Sequence, residues 1–261
     1  MTAHSPKRRP MIQFEERSAT RSSAGMVTSP HFLASEAGAQ VLRSGGSAVD
    51  AAIATAAVLG VVYPHMTGMG GDAFWLIHDP LSGKVRYLNG GGRAAASANV
   101  AYFQSRGWNE VPFHGVCPAT LTTPGAVSSW EAAHQAYGRL SLSQCLQAAI
   151  DHAQHGYPVS DRLAAWLTKM QADLQSQPGW RSLFMPSGAL PQAGSRLANP
   201  ALARTLEAVA HGGAQAFYGG EVGQSLARLS AENDGFFTLA DLAAQQAQWG
   251  EPLCGSYRDL T

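Results

Sequence analysis

Between Gly45 and Arg93 the chain passes from an uncharged run through a glycine-rich loop and a hairpin to an arginine. This stretch limits what the rest of the molecule can be. Ala51 to Val62 carries no charge and Thr55 as its one polar side chain. Ser47 is placed to cap a helix over this run, with Asp50 as the acid of its first turn. A helix apolar on every side must lie inside the protein, and this one is too short to cross a bilayer, which takes about 20 residues. Tyr63-Pro64 stops it, because the residue before proline avoids helical angles.

The next segment, HMTGMGGD over His65 to Asp72, brings glycines at 68, 70 and 71. It resembles a phosphate loop only in its glycines. Such a loop follows a strand and opens a helix, whereas this one follows a helix and opens a strand. Its glycines are better suited to close packing at the entrance to a hairpin than to contact with substrate. AFWLIHD and KVRYLN, joined by PLSG, are the strands of that hairpin. The second strand runs into Gly90-Gly91-Gly92-Arg93. An arginine on bare glycines at a strand end is suited to holding a carboxylate with two parallel hydrogen bonds. A solvated loop arginine or a structural ion pair would read the same way.

Net charge is zero over 261 residues, so no basic surface points to nucleic acid and no polybasic patch to a membrane. Cys117, Cys145 and Cys254 are far apart, form no CxxC pair and leave an odd count. They suit a reducing compartment. Lys7-Arg8-Arg9 begins like an export signal, but no apolar stretch follows, so residues 1–25 read as a flexible lead and the location as cytoplasmic.

Along the chain, Ser29-Pro30 predicts a helix start, closed at Gly45-Gly46. Ala94 to Asn99 reads as loop or a short helix start, Val100 to Phe113 has no clear period, and Gly115 to Thr123 reads as a strand entering the Pro124-Gly125 turn. Val127 to Tyr137 is helical with Trp130 and Ala133 facing inward. Ser141 and Gln144 form a capping box for a helix whose apolar face includes Cys145, a core position rather than a reactive thiol. Ser160 caps a further helix, and Gln177 to Leu197 reads as a long surface excursion. Asn199-Pro200 opens a helix that Gly212 should stop. A helix over Phe217 to Glu232 follows, then a short one capped by Thr238 and Asp241, then extended chain over Trp249 to Tyr257.

His152 and His155 lie next to a helix C-terminus, where histidine favours the dipole, and no third ligand is spaced to join them in a metal site. No Gly-x-Ser-x-Gly elbow occurs. Thr122-Thr123 has no base beside it. The chemistry legible here is an anion clamp without a nucleophile and without a cofactor.

GGSAVDAAIATAAVLGVVYPHMTGMGGDAFWLIHD resembles the glycine-rich signature of the gamma-glutamyltransferase family. TSPHFLASEAGAQVLRSGG resembles that family's first helix, LTTPGAVSSWEAAHQAYGRLSLSQCLQAAIDHAQHGYPVS its central helices, and FYGGEVGQSLARLSAENDGFFTLADLAA with WGEPL the approach to its next strand. The resemblance runs from Met26 to Tyr257 and makes residues 26–261 a large-chain portion. It implies a four-layer αββα N-terminal nucleophile hydrolase fold of the α+β type, incomplete in this chain. It implies a precursor that cleaves itself before a threonine, whose hydroxyl then attacks a gamma-glutamyl amide such as that of glutathione. That threonine lies downstream of this chain, so the expected partner is the small chain that carries it, and the large-chain portion alone is expected to be inactive. Arg93 matches the family's arginine for the substrate alpha-carboxylate. Its surroundings, Asn89-Gly-Gly-Gly-Arg93-Ala94, lack the acid that commonly follows that arginine and the aspartate that often precedes it. They look more like the family's amidohydrolases of the oxamate type. A truncated, non-catalytic remnant is the reading from a different class.

Overall fold

The computed structural model describes residues 19–105, 107, 110, 121–233 and 235–258. Its elements, in order, are α1 (Phe32–Arg43), α2 (Ala48–Val62), β1 (Ala73–Asp79), β2 (Lys84–Gly90), α3 (Val100–Ser105), α4 (Ala126–Tyr137), α5 (Leu142–His155), β3 (Tyr157–Pro158), α6 (Asp161–Leu174), α7 (Pro178–Phe184), β4 (Arg196–Leu197), α8 (Pro200–Tyr218), α9 (Glu221–Glu232), α10 (Leu239–Ala243) and β5 (Gln248–Gly250). The fold is α+β. Residues 1–18 of the expected lead over 1–25, Cys117 and most of the strand expected over Gly115 to Thr123 lie outside the described residues. Leu121–Thr123, at the end of that stretch, forms no regular strand.

The uncharged run forms α2 and sits at the centre, against α1, α4 and α5. Ile53, Val58 and Val62 are fully enclosed. Its predicted start holds. The Ser47 hydroxyl accepts from Asp50 N–H (3.0 Å) and the Asp50 carboxylate from Ser47 N–H (2.8 Å). Ser141 with Gln144 and Thr238 with Asp241 close the same reciprocal cap on α5 and α10.

The hairpin pairs Ala73 with Gly90 through Asp79 with Lys84, and β5 adds to β2 on the other side, giving the order β1-β2-β5. Leu88 is fully buried, and Trp75 and Ile77 pack into the same core over α4. Trp75 Nε1–H donates to Ser129 Oγ (3.0 Å). The opposite face leaves Phe74 and Leu76 exposed. The expected layers are thus represented by a helical layer and one three-stranded sheet with an open outer face. A second, two-stranded sheet joins β3 to β4.

Three expectations shift. The helix expected to start on Ser29-Pro30 begins at Phe32 instead. His31 is extended (φ −137°, ψ 130°) and its ring nitrogen accepts from Leu33 N–H, while the Ser29 hydroxyl donates to the His31 carbonyl (2.8 Å). Gly212 does not end α8, which runs to Tyr218 across a break at Gly213. Phe217 and Tyr218, expected in the following helix, are therefore buried in α8. The excursion over Gln177 to Leu197 contains α7, whose Phe184 is buried, and β4. Val100–Ser105, unassigned from sequence, is helical as α3.

Candidate carboxylate-binding site

The end of β2 lies against the start of α4, backbone on backbone. A Cβ on Gly90 would stand 2.4 Å from that of Ser129, and one on Gly92 would stand 1.8 Å from the Thr123 carbonyl oxygen. A side chain at either position would push the two segments apart. The loop His65 to Asp72 serves the same junction. The Gly71 carbonyl accepts from Gly125 N–H (3.0 Å) and Ala126 N–H (2.9 Å), supplying α4 with the cap that no side chain gives it. The Tyr218 hydroxyl accepts from Ser128 N–H and donates to the Pro124 carbonyl, closing the helix start from the other side.

Around Arg93 the backbone is held at five points. Gly91 N–H donates to Asn89 Oδ1 (2.9 Å) and Gly92 N–H to Asp72 Oδ1 (2.7 Å). Arg93 N–H donates to Gln245 Oε1 (3.3 Å), and Gln245 Nε2 donates back to the Gly91 carbonyl (3.3 Å). The Arg93 carbonyl accepts from Thr123 N–H (2.9 Å). Downstream, Ala96 N–H donates to Asp241 Oδ1 (2.9 Å) and the Ser97 hydroxyl to the Phe236 carbonyl (2.9 Å). Burial pushes the Asp241 carboxyl up, but the hydrogen bonds from Ala96 and Thr238 outweigh it and hold the group below its ordinary range.

The Arg93 side chain itself is exposed, and among the described residues no carboxylate lies within 4.0 Å of its guanidinium. Among these residues no structural ion pair occupies it. The arrangement is a fixed root carrying an unpaired planar cation, suited to a carboxylate from outside. Gly68 and Gly70 have open space where a Cβ would be, so the loop beside this strand end presents bare backbone.

Asp50, His134 and Cys145 are the group among the described residues whose possible ligand atoms lie within 4.8 Å of one another. Asp50 Oδ1 accepts no hydrogen bond, but its two neighbours do not suit a metal ion. Asp50 Oδ2 already accepts from Ser47, Arg139 and Leu140 N–H groups. His134 Nε2 must carry its proton to donate to the Leu140 carbonyl (2.7 Å). Burial, with Asp50 beside it, pushes the Cys145 thiol up to about 12, far from the thiolate a metal needs. Cys145 is a core residue, as its helical period indicates. His152 faces the core, where burial lowers its pKa, and it joins no such group.

Asp72 and Gln245 are parts of the site that sequence reasoning did not single out, and Asn89 and Thr123 were noted only as a neighbour of Arg93 and as a rejected nucleophile. Asp72 and Asn89 stand in the same run as Arg93 and could have been marked as short polar side chains flanking glycines. Gln245 had no local signal, since 152 residues separate it from Arg93.

The profile of the family described as Gamma-glutamyltranspeptidase matches residues 34–261. The glutathione hydrolase-like YwrD proenzyme of Bacillus subtilis (strain 168) is 40% identical over 233 residues, covering 89% of this chain and 44% of the relative. The oxamate amidohydrolase proenzyme of Klebsiella pneumoniae is 38% identical over 237 residues, again 89% of this chain and 44% of the relative. The chain thus spans less than half the length of these curated relatives. Among solved structures, Helicobacter pylori gamma-glutamyltranspeptidase superposes with a TM-score of 0.86 at 33% identity, covering 92% of this chain and 69% of that one. With most of its length matched in sequence and in backbone course, the chain belongs to the gamma-glutamyltranspeptidase family and has, over the part it spans, that family's N-terminal nucleophile hydrolase fold.

Proposed function

We propose that this chain is the carboxylate-recognising part of the large chain of a self-processing amidase or acyltransferase, with Arg93 holding the alpha-carboxylate of a gamma-glutamyl amide. One observation carries the reading: the guanidinium is exposed and has no acidic partner among the described residues, on a backbone fixed at Gly91, Gly92 and Arg93. With its root fixed, only the side chain has to be ordered when a carboxylate docks.

The chemistry would come from a threonine outside this chain, at the N-terminus of the small chain. Its hydroxyl oxygen attacks the amide carbonyl carbon while its own amine takes the hydroxyl proton, and donors from the surrounding backbone hold the oxyanion. The proton then passes to the leaving amine as the C–N bond breaks. Water or an acceptor amine removes the acyl group. Thr123 does not fill that role, being almost fully enclosed.

The second reading is a smaller carboxylated amide as substrate. It is favoured by Asn89-Gly-Gly-Gly-Arg93-Ala94 and by the relative named for oxamate. Among the described residues no helix is long and apolar enough to cross a membrane, and a cytoplasmic site of action is part of the proposal.

Arg93→Ala in the complete protein tests the role. Losing charge-assisted hydrogen bonds to a carboxylate should raise KM for glutathione about 10- to 100-fold. An unchanged KM removes Arg93 from the site.

A further inference from the structure

We infer that Gln245 is the positioning residue of the carboxylate clamp, and this rests on the reading of Arg93 just given. The ladder between β2 and β5 ends at the pair Asn89–Gln248. Beyond it the chain before β5 turns away into α10, and backbone pairing stops two residues short of Gly91. Gln245 continues the ladder with its side chain. Its carboxamide accepts from Arg93 N–H and donates to the Gly91 carbonyl, the two groups that an antiparallel neighbour would have engaged (3.3 Å each).

Gln245 is only 4% exposed, so water does not substitute for it. A primary amide is the side chain that offers an acceptor and a donor in one plane at this spacing. The need for it comes from the glycines. Gly91 and Gly92 have no side chains to restrict their angles, and without the amide Arg93 N–H and the Gly91 carbonyl lose their partners, leaving only the holds from Asn89, Asp72 and Thr123. A small rotation there becomes a large displacement at the guanidinium, and misplacing a binding group by about 1 Å can cost ~100-fold in rate.

A residue that acts only on the fold would lower stability and activity toward every substrate alike. A positioning residue acts through Arg93 and changes the discrimination between carboxylated and uncarboxylated substrates. The measurement is the ratio of kcat/KM for glutathione to kcat/KM for glutathione whose glutamyl alpha-carboxylate is a primary amide. It is taken on the complete protein and its variants Gln245→Leu, Gln245→Glu, Arg93→Ala and Arg93→Ala with Gln245→Leu. Both rates come from one preparation, so any inactive fraction cancels in the ratio.

Gln245→Leu should lower the ratio about tenfold. Gln245→Glu has the same volume and keeps the acceptor for Arg93 N–H, so it should lower the ratio less. The double variant should be no worse in this ratio than Arg93→Ala alone, because one residue works through the other. A folded Gln245 variant with an unchanged ratio, or additive losses in the double variant, overturns the role of Gln245 and leaves that of Arg93 standing. An unchanged ratio in Arg93→Ala overturns both. Should Gln245→Leu not fold, Gln245→Glu decides by the same ratio.

Discussion

Asp50 is fully buried and charged, a combination that costs several kcal/mol unless every lone pair finds a donor. Three backbone N–H groups meet its Oδ2, while Oδ1 accepts no hydrogen bond and lies 3.8 Å from His134 Nε2. Ser47 closes the cap of α2, while Arg139 and Leu140 come from the turn between α4 and α5 (2.9 and 3.1 Å). One carboxylate thus joins the central helix to the turn between its two neighbours. Burial pushes its pKa up, the backbone hydrogen bonds pull it down, and the second effect wins, leaving it below the ordinary 3.8. A carboxylate with a lowered folded-state pKa adds stability that is fully present above the unfolded value and is lost as pH falls through the folded one. Asp50→Ala leaves three partly buried donors without an acceptor and should cost about 2–4 kcal/mol near neutral pH. The melting difference between the complete protein and the variant should be largest above pH 3.8 and shrink, as pH falls below that value, to the part owed to packing. A difference that stays constant across that range would show that the charge contributes nothing and that only packing is lost.

Among the elements, α8 shows where sequence ran out. Leu202, Leu206 and Val209 are in helical period and Asn199 caps the start, all of which was legible. The stop expected at Gly212 was not a stop, because Glu131 of α4 accepts from Ala214 N–H (2.9 Å) and starts the helix again. That hydrogen bond links residues 83 apart, and no local pattern announces it. The same reason hid Gln245, whereas the reciprocal caps at Ser47, Ser141 and Thr238 were readable because both partners lie within one turn. Arg93 was readable as a cation on a strand end. That its guanidinium is unpaired was not, since this depends on which acids the fold brings near. Gly213 sits at the break with φ 62° and ψ −156°, and a Cβ there would stand 2.2 Å from Glu131 Oε1. Gly213→Ala therefore meets both backbone strain and a clash with the capping oxygen, and should lower stability by about 2–4 kcal/mol. Gly212→Ala, at a helical position, sets its Cβ 2.8 Å from that of Ala216 and so has a steric cost of its own, but no backbone strain, and should lower stability by less. Equal melting shifts for the two would mean that the break is not what Gly213 provides.

For the whole molecule, the outer face of the β1-β2-β5 sheet is the least settled surface. Phe74 is 64% exposed and Leu76 70%, and with Tyr87 and Leu253 they line one shallow apolar groove beside an edge strand. A contiguous apolar patch next to unpaired strand backbone promotes association. The relatives are more than twice as long as the segment this chain matches in them, so they contain ample chain to cover such a face. The two situations predict opposite signs for one substitution. In the 261-residue chain by itself, light scattering should report concentration-dependent oligomers, and Phe74→Lys with Leu76→Lys should shift them towards monomer. In the complete protein the same pair of lysines should lower the melting temperature, because burying charges against apolar partners is costly. A monodisperse, cooperatively melting monomer of the unmodified chain would show that this face needs no cover. Lysines tolerated in the complete protein would show that nothing covers it there.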